Sequence, residues 1–427
     1  MTGARPALGL TGPVPGHLPA RLTICLWDFS WYTRAGQGEP YTDLGAALDQ
    51  TQDRGYTTIR ICAAPLLLFG DLGLEAEATS LAIDGLGPSP AGGYLGQGTR
   101  WYDVPGGFRL DLRARFFELL DGLAERGMTV ILSSWEYQQS PAFAADPAWF
   151  EAVDAVPLAR RYDALARAFD RMLTAIADAG HADVVAFTEL HNEVDFSLLP
   201  PVEDGGLAAL ELLRERHPTQ LVTVSYGKPP HLAMHTVPAG LDVGQFHVYS
   251  YGVLDALQRR IDIRSTADAD FPNAALRALQ RPGAPTVAEH GRPAAWKLRA
   301  TVVTDQMIYG YDTIDADLWD AWLYDHYAVF REVMLREIES RVIAVAAWSR
   351  WREVPFVVGE GWIGYTPLHG QFEEGPVGRS LAEHGIRTAL DHGVWGVVPC
   401  SNAAPHHPMW QDAAWQRAIN AEVLGRE

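Results

Sequence analysis

An α/β chain that closes into a (β/α)8 TIM barrel, with long loop insertions after strands two and six, is the fold this sequence predicts. Three observations carry the prediction. Strand-like apolar runs stand near residues 22, 57, 129, 184, 221, 243, 356 and 394, and a helix-bearing connection follows each of them. A parallel strand covered on both faces should be apolar throughout, yet the run at 184 ends abruptly in Glu189, His191, Asn192, Glu193 and Asp195. Polar groups at the C-terminal end of such a strand are what the active-site rim of a barrel enzyme presents. No GxGxxG follows the first run and no Walker-type loop occurs, which counts against an open nucleotide-binding sheet.

Taken in order, residues 1–20 read as an irregular arm ahead of a single barrel domain over 21–427. Leu22–Phe29 is the first strand. Leu44, Ala47 and Leu48 repeat at helical spacing over Asp43–Arg54, and Gly55 closes that helix. Tyr56–Ala63 is the second strand, with Arg60 either snorkelling at its end or buried against carboxylates. Residues 70–108 are rich in Gly and Pro and read as a long loop, with Trp101 and Tyr102 as an ordered wall. Leu110–Arg126 is a helix, Thr129–Ser133 the third strand, and Trp135, Glu136, Tyr137, Gln138 and Gln139 follow it. The helix Arg160–Ala179 leads into the fourth strand. Leu207–Arg216 is helical, Leu221–Ser225 a short strand, and Val243–Tyr251 a strand with His247, Tyr249 and Tyr251 on one face by period-two alternation. Residues 252–316 are heterogeneous. From Leu318 to Glu353 no Gly or Pro interrupts a helical pattern. Pro355–Trp362 is the seventh strand, Gly378–His392 a helix, Val394–Val398 the eighth strand and Asp412–Leu424 the last helix.

The formal net charge of −19 argues against nucleic acid or an anionic membrane surface as partner. Three cysteines without CxxC spacing indicate neither a disulfide framework nor a zinc knuckle. No run approaches the roughly 20 apolar residues of a membrane span, and the Pro/Gly-rich N-terminus does not read as a secretory signal. A cytoplasmic enzyme is expected.

The motifs TTIRI (Arg60), HNE (Asn192, Glu193), HVY (His247, Tyr249) and VVGEG (Glu360) each fall at the C-terminal end of a strand, at strands two, four, six and seven. In that order they resemble glycoside hydrolase clan A, the retaining family-five-like barrel enzymes, and more narrowly the bacterial cellulase-like proteins. The resemblance implies a retaining glycosidase with Glu193 as acid/base and Glu360 as nucleophile. It also implies Asn192 on the sugar's 2-hydroxyl, Arg60 and Tyr249 orienting Glu360, and His247 lining the site. No cofactor or metal is implied, and the adjacent His406 and His407 read as polar loop residues.

The chemistry suits these residue types. Retention requires two carboxyls about 5–5.5 Å apart. Arg60 should keep Glu360 ionised, and burial beside Glu360 should raise Glu193. Glu289 competes for the nucleophile's place, but choosing it leaves the strands and helices after Pro355 without a position in a closed barrel. Trp362 is then expected on the face of Glu360, and Trp135 and Glu136 are substrate contacts or rim packing. Strand eight ends in Cys400-Ser401-Asn402 where the family has a Trp, which puts Asn402 at the sugar site and leaves the sugar open. The two insertions predict a closed pocket for one terminal sugar, so that the substrates are short oligosaccharides or small glycosides cut exo-fashion. A non-catalytic carbohydrate-binding protein and a transglycosylase are the alternatives.

Overall fold

In the computed structural model, which describes residues 8–74, 80–266, 270–364, 367 and 369–425, the apolar runs become parallel barrel strands. They are β1 Leu22–Asp28, β2 Thr58–Cys62, β3 Thr129–Ser133, β4 Val185–Glu189, β5, β6 Gly244–Ser250, β7 Phe356–Ile363 and β8 Gly396–Val397. The fifth strand is split at Val224 into Val222–Thr223, which pairs with β4, and Ser225–Tyr226, which pairs with β6. These two pieces are the ends of the hydrogen-bonded series, and one residue joins them, so the sheet closes on itself.

The helices start and stop where short-range chemistry says they should. Asp43 and Asp111 cap Leu44–Asp53 and Leu112–Arg126 by accepting from Ala46 N and Ala114 N, at 2.9 Å each. Gly127 ends the second of these at φ 61°, a left-handed conformation that costs glycine little. Ala316–Arg352 runs 37 residues from an Asp315 cap, about 55 Å at the α-helical rise. Every residue of β1 to β4, β6 and β7 is buried, and Phe187 and Trp395 meet inside the barrel with ring centroids 5.9 Å apart. Truncating a core aromatic of this kind costs about 3–5 kcal/mol. The arm, described from residue 8, packs on the N-terminal side of the barrel: Thr11 donates to Val354 O at 2.7 Å, and Trp395 Nε1 donates to Pro19 O at 3.0 Å.

The insertion after β2 is not loop throughout. Ser80–Ile83 and Phe108–Asp111 pair as an antiparallel hairpin, and Pro65–Phe69 is a short helix. The hairpin escapes a composition reading because its strands have four residues each and flank the Gly-rich stretch. The insertion after β6 carries the helices Gly252–Arg260, Ala274–Arg277, Val287–His290, Ala295–Arg299 and Asp305–Thr313. Buried polar groups stitch the two insertions together. Asp312 accepts from Gly96 N at 2.8 Å and Gly98 N at 2.6 Å, and faces His290 Nε2 at 3.0 Å. The Lys297 ammonium donates to Gly85 O at 2.6 Å and Ala144 O at 2.9 Å. No helix among the described residues is long and apolar enough to cross a membrane.

Candidate active site

The C-terminal ends of the strands converge on a cavity. Asp28, Trp135, Asn192, Glu193, Tyr249 and Glu360 line it from strand ends, Gln138 and Gln139 from the segment after β3, and Trp101 and Val302 from the two insertions. Of the aromatics expected as walls, Trp101 reaches the cavity. Tyr102 is buried against Gln139 at 2.7 Å.

Arg60 organises the floor. It is fully buried and grips Glu189 with two bonds, Nε to Oε2 at 2.9 Å and Nη2 to Oε1 at 2.8 Å. The same fork reaches Glu360 Oε1 at 2.7 Å through Nη1 and Asn192 Oδ1 at 2.6 Å through Nη2. Its guanidinium lies 4.6 Å from the Trp135 ring centroid. Tyr249 donates to Glu360 Oε2 at 2.9 Å and meets the Ser401 hydroxyl at 2.8 Å. His247 Nδ1 stands 2.9 Å from Glu193 Oε1 and 3.6 Å from Glu360 Oε2. Gln138 ties the other side, donating to Glu193 Oε2 at 2.9 Å and accepting from Asn192 Nδ2 at 2.7 Å. One donor atom from each of Glu193, His247 and Glu360 lies within 4.8 Å of the others. Glu193 and Glu360 remain open to the cavity, with side chains 18% and 10% exposed. Glu193 and Asp28 have left-handed backbones, φ 44° and 45°, a conformation that costs a residue with a Cβ about 1–3 kcal/mol.

The electrostatics run opposite to the expectation. Burial pushes Glu193 up, but the hydrogen bond and charge of His247, with Gln138 and Arg60, outweigh it and hold the carboxyl below the ordinary range. For Glu360 burial wins over the charges of His247 and Arg60, and the nearby Glu193 adds to the rise. Burial pulls His247 down, yet the charge of Glu360 and the bond to Glu193 raise it. The physical reason is sharing: Arg60 already pairs with Glu189, while His247 leans on Glu193.

Three expected contacts lie elsewhere. Glu136 is buried away from the cavity, accepting from Leu66 N and Leu67 N at 2.9 Å and from Ser134 Oγ and Trp149 Nε1 at 3.1 Å. It caps the helix Pro65–Phe69, and burial lifts it to about 7 against those donors. Trp362 turns toward the helix Pro376–Asp391, where a Cβ on Gly385 would strike its ring, and donates to Val398 O at 3.1 Å. The register shift between Val358 and Glu360 interrupts the regular pleat on which the alternation argument relied. Asn402 is fully buried and donates to Glu373, part of a cluster with Arg100 and Glu374. From that strand end it is Ser401 that reaches the site. Glu289 is exposed and closes a capping box with Thr286. Glu189, Gln138, Ser401 and Asp28 are the site residues that sequence reasoning left unassigned; their signal is a polar side chain at or just after a strand's C-terminal end.

A candidate glycoside hydrolase from Parabacteroides distasonis ATCC 8503 superimposes with a TM-score of 0.63 at 18% identity, covering 95% of this chain and 94% of that one. A family-five mannosidase from Rhizomucor miehei gives 0.48 at 12%, covering 98% and 97%. The catalytic domain of the major endoglucanase from Xanthomonas campestris pv. campestris gives 0.48 at 11%, covering 99% and 100%. At 18% identity the first of these likenesses is one of fold. No curated protein matches the sequence. The family model described as sugar-binding cellulase-like matches residues 24–193 and 300–424, well over half of the chain, and so includes Arg60, Glu193 and Glu360. The chain belongs to that cellulase-like family.

Proposed function

We propose that this protein is a retaining glycosidase that removes one terminal sugar from short oligosaccharides or small glycosides. The observation that carries the reading is the approach of one carboxylate oxygen of Glu193 to one of Glu360, within 4.8 Å, at the cavity that the strand ends line. That separation suits direct attack by one carboxylate and leaves no room for the water that an inverting enzyme places between the pair. Glu360 attacks the anomeric carbon, its oxygens positioned by Arg60 and Tyr249. Glu193 protonates the departing oxygen and then deprotonates the water that releases the sugar. The proton comes from His247 across their 2.9 Å contact, so Glu193 can act as an acid without holding the proton in the empty pocket. Asn192 has one amide hydrogen on Gln138 and a second available to the sugar's 2-hydroxyl.

The exo reading is supported by the walls: Trp101 and Val302 bring both insertions to the cavity, and Asp312 and Lys297 bind those insertions to each other. Proton NMR of the first product from an aryl glycoside tests the mechanism. Retention of anomeric configuration is expected; inversion, or turnover surviving Glu360→Ala, overturns it. Product analysis on a defined oligosaccharide ladder tests the mode, with monosaccharide released from one end expected and early mid-chain fragments ruling it out.

A further inference from the structure

Asp28, at the end of β1, is a pocket carboxylate that the proposed chemistry does not use. It lines the same cavity as Glu193 and Glu360, and its side chain is 3% exposed. Oδ1 accepts from Ser30 N at 2.5 Å, while Oδ2 has no protein hydrogen-bond partner. Leaving a buried charged acceptor unpaired costs more than an ordinary hydrogen bond contributes. The residue also carries one of the two left-handed backbones in the cavity wall. Strain and an unpaired buried group in one side chain are the marks of a position shaped by what it binds.

Facing it is His406, whose Nε2 likewise has no protein partner and stands 3.7 Å from Asp28 Oδ2. Its Nδ1 is 2.9 Å from the Tyr41 hydroxyl. With that hydroxyl donating to Nδ1, the ring hydrogen sits on Nε2 and points toward Asp28. A separation of 3.7 Å exceeds a direct N–H···O bond, and both atoms are closed off in the empty pocket, so a ligand oxygen about 2.8 Å from each bridges them once these side chains part. The pair offers one donor and one acceptor, the complement of a hydroxyl, which both gives and takes a hydrogen bond. An anionic group would be repelled by Asp28, and an ammonium would leave the imidazole N–H unmatched.

We propose that Asp28 and His406 together hold one hydroxyl of the terminal sugar and so set which sugar the pocket accepts. This rests on reading the cavity as a sugar site. Because Asn192 is assigned to the 2-hydroxyl, the held group is another one on the ring.

The test is binding rather than turnover. Free glucose, mannose, galactose and xylose are titrated against the full chain, following tryptophan fluorescence from Trp101 and Trp135, and the tightest sugar is compared with its 3-, 4- and 6-deoxy forms. Wild type should bind one deoxy form about 10- to 100-fold more weakly than the parent. Asp28→Ala should weaken the parent by a similar factor and bind that one analogue and the parent alike. His406→Ala, which leaves the end of β1 untouched, should give the same loss of discrimination and replaces Asp28→Ala if the latter does not fold. Equal weakening of every deoxy form in both variants, or binding of no sugar by wild type, overturns the proposal. Turnover of 4-nitrophenyl glycosides is measured separately. Deoxy-selective binding without turnover would remove the glycosidase reading while leaving the hydroxyl clamp in place.

Discussion

His247 Nδ1 lies 2.9 Å from Glu193 Oε1, closer than to Glu360, and this contact decides where the site keeps its proton. On the proposed mechanism, activity requires Glu360 ionised and the His247–Glu193 pair protonated. Glu360 is raised, so the acid limb of kcat/KM should lie above the ordinary glutamate value. His247 is also raised, so activity should persist above the ordinary imidazole value before it falls. His247→Gln should lower kcat/KM for poor leaving groups about 100-fold. It should also move the alkaline limb to lower pH, because the last proton then sits on a carboxyl. A pH–rate series on both proteins checks this; an unmoved alkaline limb would contradict the role.

Gly227 gives Glu193 its room. A Cβ at that position would collide with the Glu193 carboxylate, and Gly227 N is held at 2.8 Å by Asp195. Gly227→Ala should therefore displace the acid while leaving the fold. The expected result is about a 100-fold loss for poor leaving groups, a much smaller loss for activated aryl groups, and an unchanged circular dichroism spectrum. Equal losses for both leaving groups would mean a general structural defect.

Glu189 takes two of the four side-chain hydrogen bonds that Arg60 donates, and one of its two ion pairs. Replacing it with Gln leaves a buried guanidinium short of a partner, which should destabilise the protein by about 3–5 kcal/mol in urea unfolding. Arg60 would then turn its charge on Glu360 alone. The acid limb should consequently fall to lower pH, a shift that a purely structural role would not produce.

Much of this was readable in the sequence, for identifiable reasons. A barrel fixes where strand ends meet, so Arg60, Glu193, His247, Tyr249 and Glu360 could be brought together from their strand positions, and the structure has them joined by hydrogen bonds. Side-chain direction beyond a strand end has no such rule. Glu136, three residues past β3, turned into a helix cap, whereas Gln138, two further on, turned into the pocket. Trp362 followed a disturbed pleat instead of the period of two. The proton balance was not legible either, because it depends on Glu189 sharing Arg60, a contact between strands two and four that no local pattern encodes.

Asp312 joins both insertions, so Asp312→Ala should loosen them together. The amides of Gly96 and Gly98 lose their acceptor and should exchange with solvent faster, by about 10- to 100-fold for a lost hydrogen bond to a charged group. KM should rise more than kcat falls, because the wall that holds the sugar moves and the carboxylates do not. Unchanged exchange at both glycines would show that the insertions are held by other contacts.

The left-handed backbone of Glu193, φ 44°, bears on how this chain can change over generations. Glycine or asparagine sits in that conformation with less strain, so either one would make the chain sturdier while deleting the acid of the proposed mechanism. Drift toward sturdiness and retention of turnover thus pull in opposite directions at one codon. A lineage released from the need to cut its sugar should reach Gly or Asn there early, with the barrel and the pocket walls unchanged.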